Sequence, residues 1–354
     1  MQNNLGLYIH IPFCNSKCTY CDFVSFDDAK DMQRNYVTNL IKEIEFESYK
    51  TNKKIDTIFI GGGTPSSLYQ GALSQIFKTI NDRFKIDENI EFSIEANPES
   101  CNQGFIKECV DIGVNRLSLG LQSACDKILK NIRKHTFFDF INAVSLAKKY
   151  KINNINSDIM LGLPSQSIAD VINTIDEIIK LEVSHISVYG LKIEDGTVLQ
   201  KQGYQVDEDL SVQMYNTAYQ KLKAFGFIRY EVSNFAKKGF ECRHNKKYWN
   251  LSEYLGVGLN ASSLYDGIRK TNTCDMNQYF KGIFLGSQEK SDFLIEKIML
   301  GLRTSDGVDI KYIDQTNKKL CTFIENGIVF IENGRLKIKE EHFYIMNSII
   351  SALI

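Results

Sequence analysis

The chain has 354 residues, 43% hydrophobic and 24% charged, which is enough for a large core and leaves room for one large domain and a smaller one. A formal net charge of −1 excludes a general electrostatic binder of nucleic acid. No apolar run reaches the ~18 residues that cross a bilayer, no basic-then-apolar leader opens the sequence, and nine cysteines are an odd number for a disulfide framework, so a cytoplasmic location is expected.

From residue 5 to about 191, short β-type runs alternate with amphipathic segments. The runs fall at 5–11, 55–60, 90–96, 114–122, 152–160 and 185–191. Between them Met32, Tyr36, Val37, Leu40, Ile41 and Ile44 repeat at helical spacing, as do Ile168, Val171, Ile172, Ile175, Ile178 and Ile179. Strand, helix, strand at these lengths predicts βαβ units and a parallel sheet. A sheet sandwiched between two helix layers is apolar on both faces. Here one parity is apolar, as in Leu7, Ile9 and Ile11 or Leu117, Leu119 and Leu121. The other is largely polar: Tyr8, His10, Ser93, Glu95, Arg116, Ser118, Gln122, Asn156, Asp158, His185, Ser187 and Tyr189. An unpaired buried polar group costs roughly 1–3 kcal/mol, so a polar inner face predicts a partial barrel around a polar ligand.

Just after the first run stand Cys14, Cys18 and Cys21, spaced C-x3-C-x2-C in a loop too polar for a core. Thiolates suit zinc, copper(I) or an iron–sulfur cluster. Three are one short of the usual closed set, which leaves either a cube with one open iron or a Cys3His zinc site completed by His10. Pro12, Pro65, Pro98 and Pro164 each follow a β run, where parallel α/β folds place their ligand loops. Gly61, Gly62 and Gly63 before Thr64-Pro65 allow close approach of a ligand to backbone N–H groups.

Past residue 191 the alternation stops. Leu210, Met214, Ala218, Leu222 and Phe225 form a helical stripe, followed by Tyr230-Glu-Val-Ser-Asn234 and Cys242-Arg-His244-Asn-Lys-Lys-Tyr248-Trp249. The last 60-odd residues predict two helices, two short strands turning at Asn333-Gly334 and a final helix, in a winged-helix-like arrangement. The expected division is 1–195 for the partial barrel, 196–290 for an extension and linker, and 291–354 for the small C-terminal α+β module. A neutral His244 suits either a haem iron or a buried hydrogen-bonded role.

Taken together, these motifs resemble the radical S-adenosylmethionine superfamily. The resemblance rests on Tyr8 through Phe23, Phe59-Ile-Gly-Gly-Gly-Thr-Pro65, Glu95-Ala-Asn-Pro98, Arg116-Leu-Ser-Leu-Gly-Leu-Gln122-Ser123, Asp158-Ile-Met-Leu-Gly-Leu-Pro164 and His244-Asn-Lys-Lys-Tyr248-Trp249, and covers nearly the full length. It implies a partial (β/α)6 barrel, with Cys14, Cys18 and Cys21 holding a [4Fe–4S] cluster and Tyr8 and Tyr20 beside it. It places S-adenosylmethionine against Gly62, Gly63, Thr64, Glu95, Gln122 and Asp158. The family's R-x-H arginine falls at Arg133, with Lys134 as the alternative counterpart. Within the superfamily the chain is similar to the oxygen-independent coproporphyrinogen III oxidases and, more closely, to their haem-chaperone relatives. The oxidases carry a further cysteine where this chain has Phe23, and an N-terminal extension before the first strand. The implied role is therefore haem binding and delivery to apo-haemoproteins such as respiratory enzymes, with oxidative decarboxylation of coproporphyrinogen as the alternative. His244 is the implied axial haem ligand. An electron donor, a homodimer and peripheral contact with membrane-bound recipients are the implied partners.

Overall fold

The computed structural model describes residues 4–27 and 30–354. Six strands, β1 (Asn4–Ile11), β2 (Lys54–Gly62), β3 (Lys85–Ala96), β4 (Arg116–Gln122), β5 (Asn154–Leu161) and β6 (His185–Gly190), lie side by side in chain order, each parallel to the next. Helices α1 (Lys30–Ser48), α2 (Ala72–Arg83), α3 (Gln103–Asp111), α4 (Phe137–Lys149) and α5 (Ile168–Lys180) form the crossovers. Their starts are written locally. Thr136 with Asp139 and Ser167 with Asp170 make reciprocal capping boxes, and Asn102 caps α3.

The strand parity holds. Leu7, Ile9, Ile11, Phe92, Ile94, Leu117, Leu119, Ile155, Ile159, Ile186 and Val188 join one core with Val37, Leu40 and Ile44 of α1. β3 begins five residues ahead of the expected run, because Lys85 and Ile86 pair with Lys54 and Ile55 before the chain reaches the apolar stretch. All four prolines stand just past strand ends, and Pro65 and Pro98 each open a single 3-10 turn.

Beyond the helix α6 (Glu208–Ala224) the sheet grows at both edges. β7 (Asn234–Ala236) adds antiparallel to β6, and helix α7 (Arg243–Asn250) crosses back. β8 (Tyr254–Val257) then lies parallel to β1 on its free side, followed by the antiparallel strands β9 (Ser262–Tyr265), β10 (Ile268–Asn272) and β11 (Leu285–Lys290). The stretch expected as linker is thus partly sheet. The four strands from β8 to β11 are only four to six residues long and run from buried β8 through part-buried β9 and β10 to exposed β11, so they lack the apolar alternation that marks a strand in sequence.

The C-terminal residues build α8 (Phe293–Gly301), α9 (Lys318–Glu325), the hairpin β12 (Val329–Glu332) and β13 (Arg335–Ile338), and α10 (Met346–Leu353). Asn333 and Gly334 both take positive φ, 51° and 74°, as a two-residue hairpin turn of matching twist requires. A second core of Ile298, Leu302, Val308, Leu336, Phe343 and Ile350 sits here. Several contacts tie it to the barrel, among them the Arg229 guanidinium 3.6 Å from the Phe343 ring centroid, the Glu231–Thr304 bridge and the Lys223–Glu340 ion pair at 3.0 Å. Among the described residues no helix is long and apolar enough to cross a membrane.

Candidate active site

The C-terminal ends of β2 to β6 and the loops after β1, β2, β3, β4 and β6 enclose a cavity of about 420 Å³. Cys14, Cys18 and Cys21 line one side, with Tyr20 between them. Gly62, Gly63, Thr64, Glu95, Gln122, Arg133 and Asp158 line the rest, so most of the residues singled out from the sequence meet in one place. Tyr8 does not line it. Its hydroxyl hydrogen-bonds His10 Nδ1 at 3.0 Å, and its ring lies 6.3 Å from Phe59.

The glycine turn is locked to the cysteine loop. Gly63 N donates to Ile11 O at 2.8 Å and Thr64 N to Phe13 O at 2.7 Å. A Cβ at Gly63 would stand 2.7 Å from the Phe13 carbonyl oxygen, so only glycine fits. His10 packs its ring on Gly62, where a Cβ would come within 2.6 Å. That ring does not line the cavity, so it does not complete a Cys3His set; burial lowers its pKa to about 4.

One chain of hydrogen bonds runs around the cavity and ends on a thiol. Arg133 Nε donates to the Tyr20 hydroxyl at 3.1 Å, and Arg133 Nη1 to Asn97 Oδ1 at 2.5 Å. Asn97 Nδ2 donates to Thr64 Oγ1 at 3.1 Å, and that hydroxyl donates to Cys14 Sγ at 3.5 Å. Arg133, and not the exposed Lys134, therefore faces the cavity. Asn97 went unremarked in the sequence as a site residue. Its one signal is its place between the strand-end Ala96 and Pro98, at the rim where β3 ends.

Burial sets the electrostatics. It raises the Cys14 and Cys21 thiols above the ordinary thiol range. It also lifts Glu95 to about 7, assisted by the neighbouring Asp158, while the Gly62 amide donating to Glu95 Oε2 at 3.1 Å pulls the other way. Asp158 is raised as well, again chiefly by burial. Gln122 ends β4 with φ 66°, beside a register shift, and its buried Oε1 has no partner. Soft thiols along one side, an orphaned carbonyl oxygen and two buried carboxylates suit a metal–sulfur cluster and a cationic organic ligand. The deeper half of the inner face pairs with itself: Asn156 reaches Ser118 and Asp158, and His185 reaches Asn156 and Tyr230.

His244 is placed outside this cavity, with both ring nitrogens hydrogen-bonded. It lies at the start of α7, whose amides at Arg243 and His244 are capped by the buried Glu91 carboxylate, both at 2.9 Å. The side chain is 0% exposed. Nδ1 bonds Thr57 Oγ1 and Nε2 bonds the Tyr248 hydroxyl, each at 2.8 Å. Burial, with Lys247 nearby, lowers its pKa to about 3. Neither nitrogen is free for an iron, so in this conformation His244 is a buried, hydrogen-bonded histidine.

Comparison with known proteins fixes the lineage. The Radical SAM superfamily profile matches residues 8–178. The haem chaperone HemW of Buchnera aphidicola is 35% identical over 346 residues, covering 94% of this chain and 92% of that protein. The haem chaperone HemW of Lactococcus lactis is 32% identical and covers 99% and 97%. The chain belongs to the HemW family of radical SAM proteins. The match to these HemW proteins runs past the cysteine barrel into the C-terminal module. Among solved structures, coproporphyrinogen III oxidase from Escherichia coli superposes with a TM-score of 0.84 at 20% identity, covering 98% of this chain and 89% of that one, and so shares the fold.

Proposed function

We propose that this chain is a haem chaperone, which binds haem and passes it to apo-haemoproteins. Cys14, Cys18 and Cys21 hold a [4Fe–4S] cluster, and Gly62, Gly63, Thr64, Glu95, Gln122, Arg133 and Asp158 bind S-adenosylmethionine. When bound, the cluster would supply one iron without a protein ligand, available to S-adenosylmethionine, and a one-electron couple. The protein's own share is orientation. Thr64 donates to Cys14, Asn97 fixes Thr64, and Arg133 ties Asn97 to Tyr20, so the thiol loop and the ligand cavity keep one geometry. Glu95 and Asp158 line the same cavity and present acceptors to a cationic ligand.

The observation that carries the reading is the rim position of Phe23. It lines the same cavity as the three thiols, 62% exposed, where the related oxidases carry a further cysteine. Full-length similarity to haem chaperones supports it. Recipients among respiratory enzymes, reached by peripheral contact at a membrane surface, an electron donor for the cluster, and a homodimer belong to the same proposal. Anaerobic reconstitution with iron and sulfide, followed by haem titration and a coproporphyrinogen assay, tests it. One haem bound per chain with no porphyrinogen turnover is expected. Turnover above the free-cofactor background, or no haem binding, overturns it.

A further inference from the structure

The site of haem itself is left open by the cavity just described. At about 420 Å³, that space must take a cluster and S-adenosylmethionine, and pockets for single drug-sized ligands already run from roughly 300 Å³ upward. A second cavity, of about 560 Å³, lies on the far edge of the sheet. Its walls come from the end of α1, from β8, β9 and β10, and from residues 282–285 leading into β11. Leu255 and Phe284 form apolar wall, while Phe46, Ile283 and Leu285 stand 53%, 51% and 51% exposed around it. The inward face of α1 explains Phe46: Tyr36, Val37, Leu40 and Ile44 take up the buried stripe, and Phe46 falls off it. Large apolar side chains gathered around a concavity mark a ligand surface.

Charge narrows the ligand. Lys50, Lys270 and the carboxylate of Glu47 line the same groove. The Lys50 ammonium lies 4.1 Å from the Phe46 ring centroid and pairs with Glu47 at 2.6 Å. Lys270 is half-buried and has no ion-pair partner among the described residues. A flat apolar ligand with two carboxylates on one edge matches an apolar wall beside one unpaired ammonium group, at Lys270, and a second, at Lys50, that exchanges Glu47 for the incoming carboxylate.

Resting on the haem-binding reading above, we propose that haem seats in this groove, its macrocycle against Phe46, Ile283 and Leu285 and its propionates on Lys50 and Lys270. The cluster cavity and the haem seat are then separate sites on one sheet.

Haem titration of the full chain, followed by visible absorbance, tests the assignment in three variants: Phe46→Asp, the charge reversal Lys50→Glu with Lys270→Glu, and the milder Lys270→Gln. All three positions are at least partly exposed, so far-ultraviolet circular dichroism and cluster absorbance should match the unmodified protein. Phe46→Asp and the double reversal should each weaken haem binding about tenfold or more, and Lys270→Gln by a smaller factor. Haem dimethyl ester, with both propionates blocked, should bind the unmodified protein and the double reversal equally. Unchanged haem affinity in all three variants refutes the groove and leaves the chaperone reading standing. No haem binding by the unmodified protein removes both. Loss of a dimer in Phe46→Asp with haem affinity intact assigns the groove to a second copy and overturns the haem seat.

Discussion

Replacing Glu231 with Gln should change how the fold responds to pH. The side chain is 1% exposed; Oε2 accepts from the Ser233 amide at 3.0 Å and Oε1 has no partner. Burial raises its carboxyl to about 7 from an ordinary 4.5, with the Ser233 amide pulling the other way. The folded protein therefore keeps a proton that the unfolded chain gives up, and the direction follows. The stabilisation is complete below about pH 4.5, and is lost as the pH rises through about 7. The gap between those two values is worth at most about 3 kcal/mol, and roughly 2 to 3 kcal/mol of it falls between about pH 5 and pH 8. Gln cannot titrate. Relative to the unmodified protein, Glu231→Gln should gain that amount on going from about pH 5 to about pH 8. Other buried carboxyls, Glu43 and Glu95 among them, are common to both proteins and cancel in the difference. Urea unfolding followed by circular dichroism at the two pH values gives the number. An offset between the two proteins that is the same at both would show that Glu231 is ionised in the fold, and the reasoning from burial would fail.

Other outcomes follow from the site. Asn97→Ala strands Arg133 Nη1 and Thr64 Oγ1, and should weaken S-adenosylmethionine binding roughly tenfold in anaerobic equilibrium dialysis; unchanged affinity would mean that the hydrogen-bond chain does not shape the cavity. Cys18→Ser should abolish the broad visible absorbance after iron and sulfide reconstitution, and a full spectrum from that variant would remove Cys18 from the ligand set. His244→Ala deprives Thr57 and Tyr248 of a buried partner and should cost about 2–3 kcal/mol in a urea melt while haem affinity stays as it was. The reverse result, lost haem with stability intact, would restore His244 as the iron ligand.

Much of this was legible because its signals are local or periodic. Strand parity depends only on alternation, so the polar inner face from Ser93 to Tyr189 could be read without coordinates. The cysteine spacing and the proline-ended strands placed Cys14, Cys18, Cys21, Gly63 and Glu95 on one rim. Contacts between distant loops were not legible. Asn97 matters through Thr64, Arg133 and, beyond them, Tyr20, four positions on four loops that meet only once the barrel forms. The surroundings of His244 were hidden for a related reason. Thr57, which occupies its Nδ1, stands 187 residues away and carries no mark of that partnership. The edge strands β9, β10 and β11 escaped because part-buried or exposed antiparallel strands have weak apolar alternation, and the second groove with its two lysines escaped with them.

The stitching of Gly63 and Thr64 to the carbonyls of Ile11 and Phe13 makes two chain segments, some fifty residues apart, into a single plate. A displacement of the thiol loop carries Thr64 with it and, through Asn97, reaches Arg133 on the opposite wall. Oxidation damage or a missing iron at the cysteines is therefore felt as a change of shape where the organic ligand docks, and an occupied ligand site in turn holds the thiols in register.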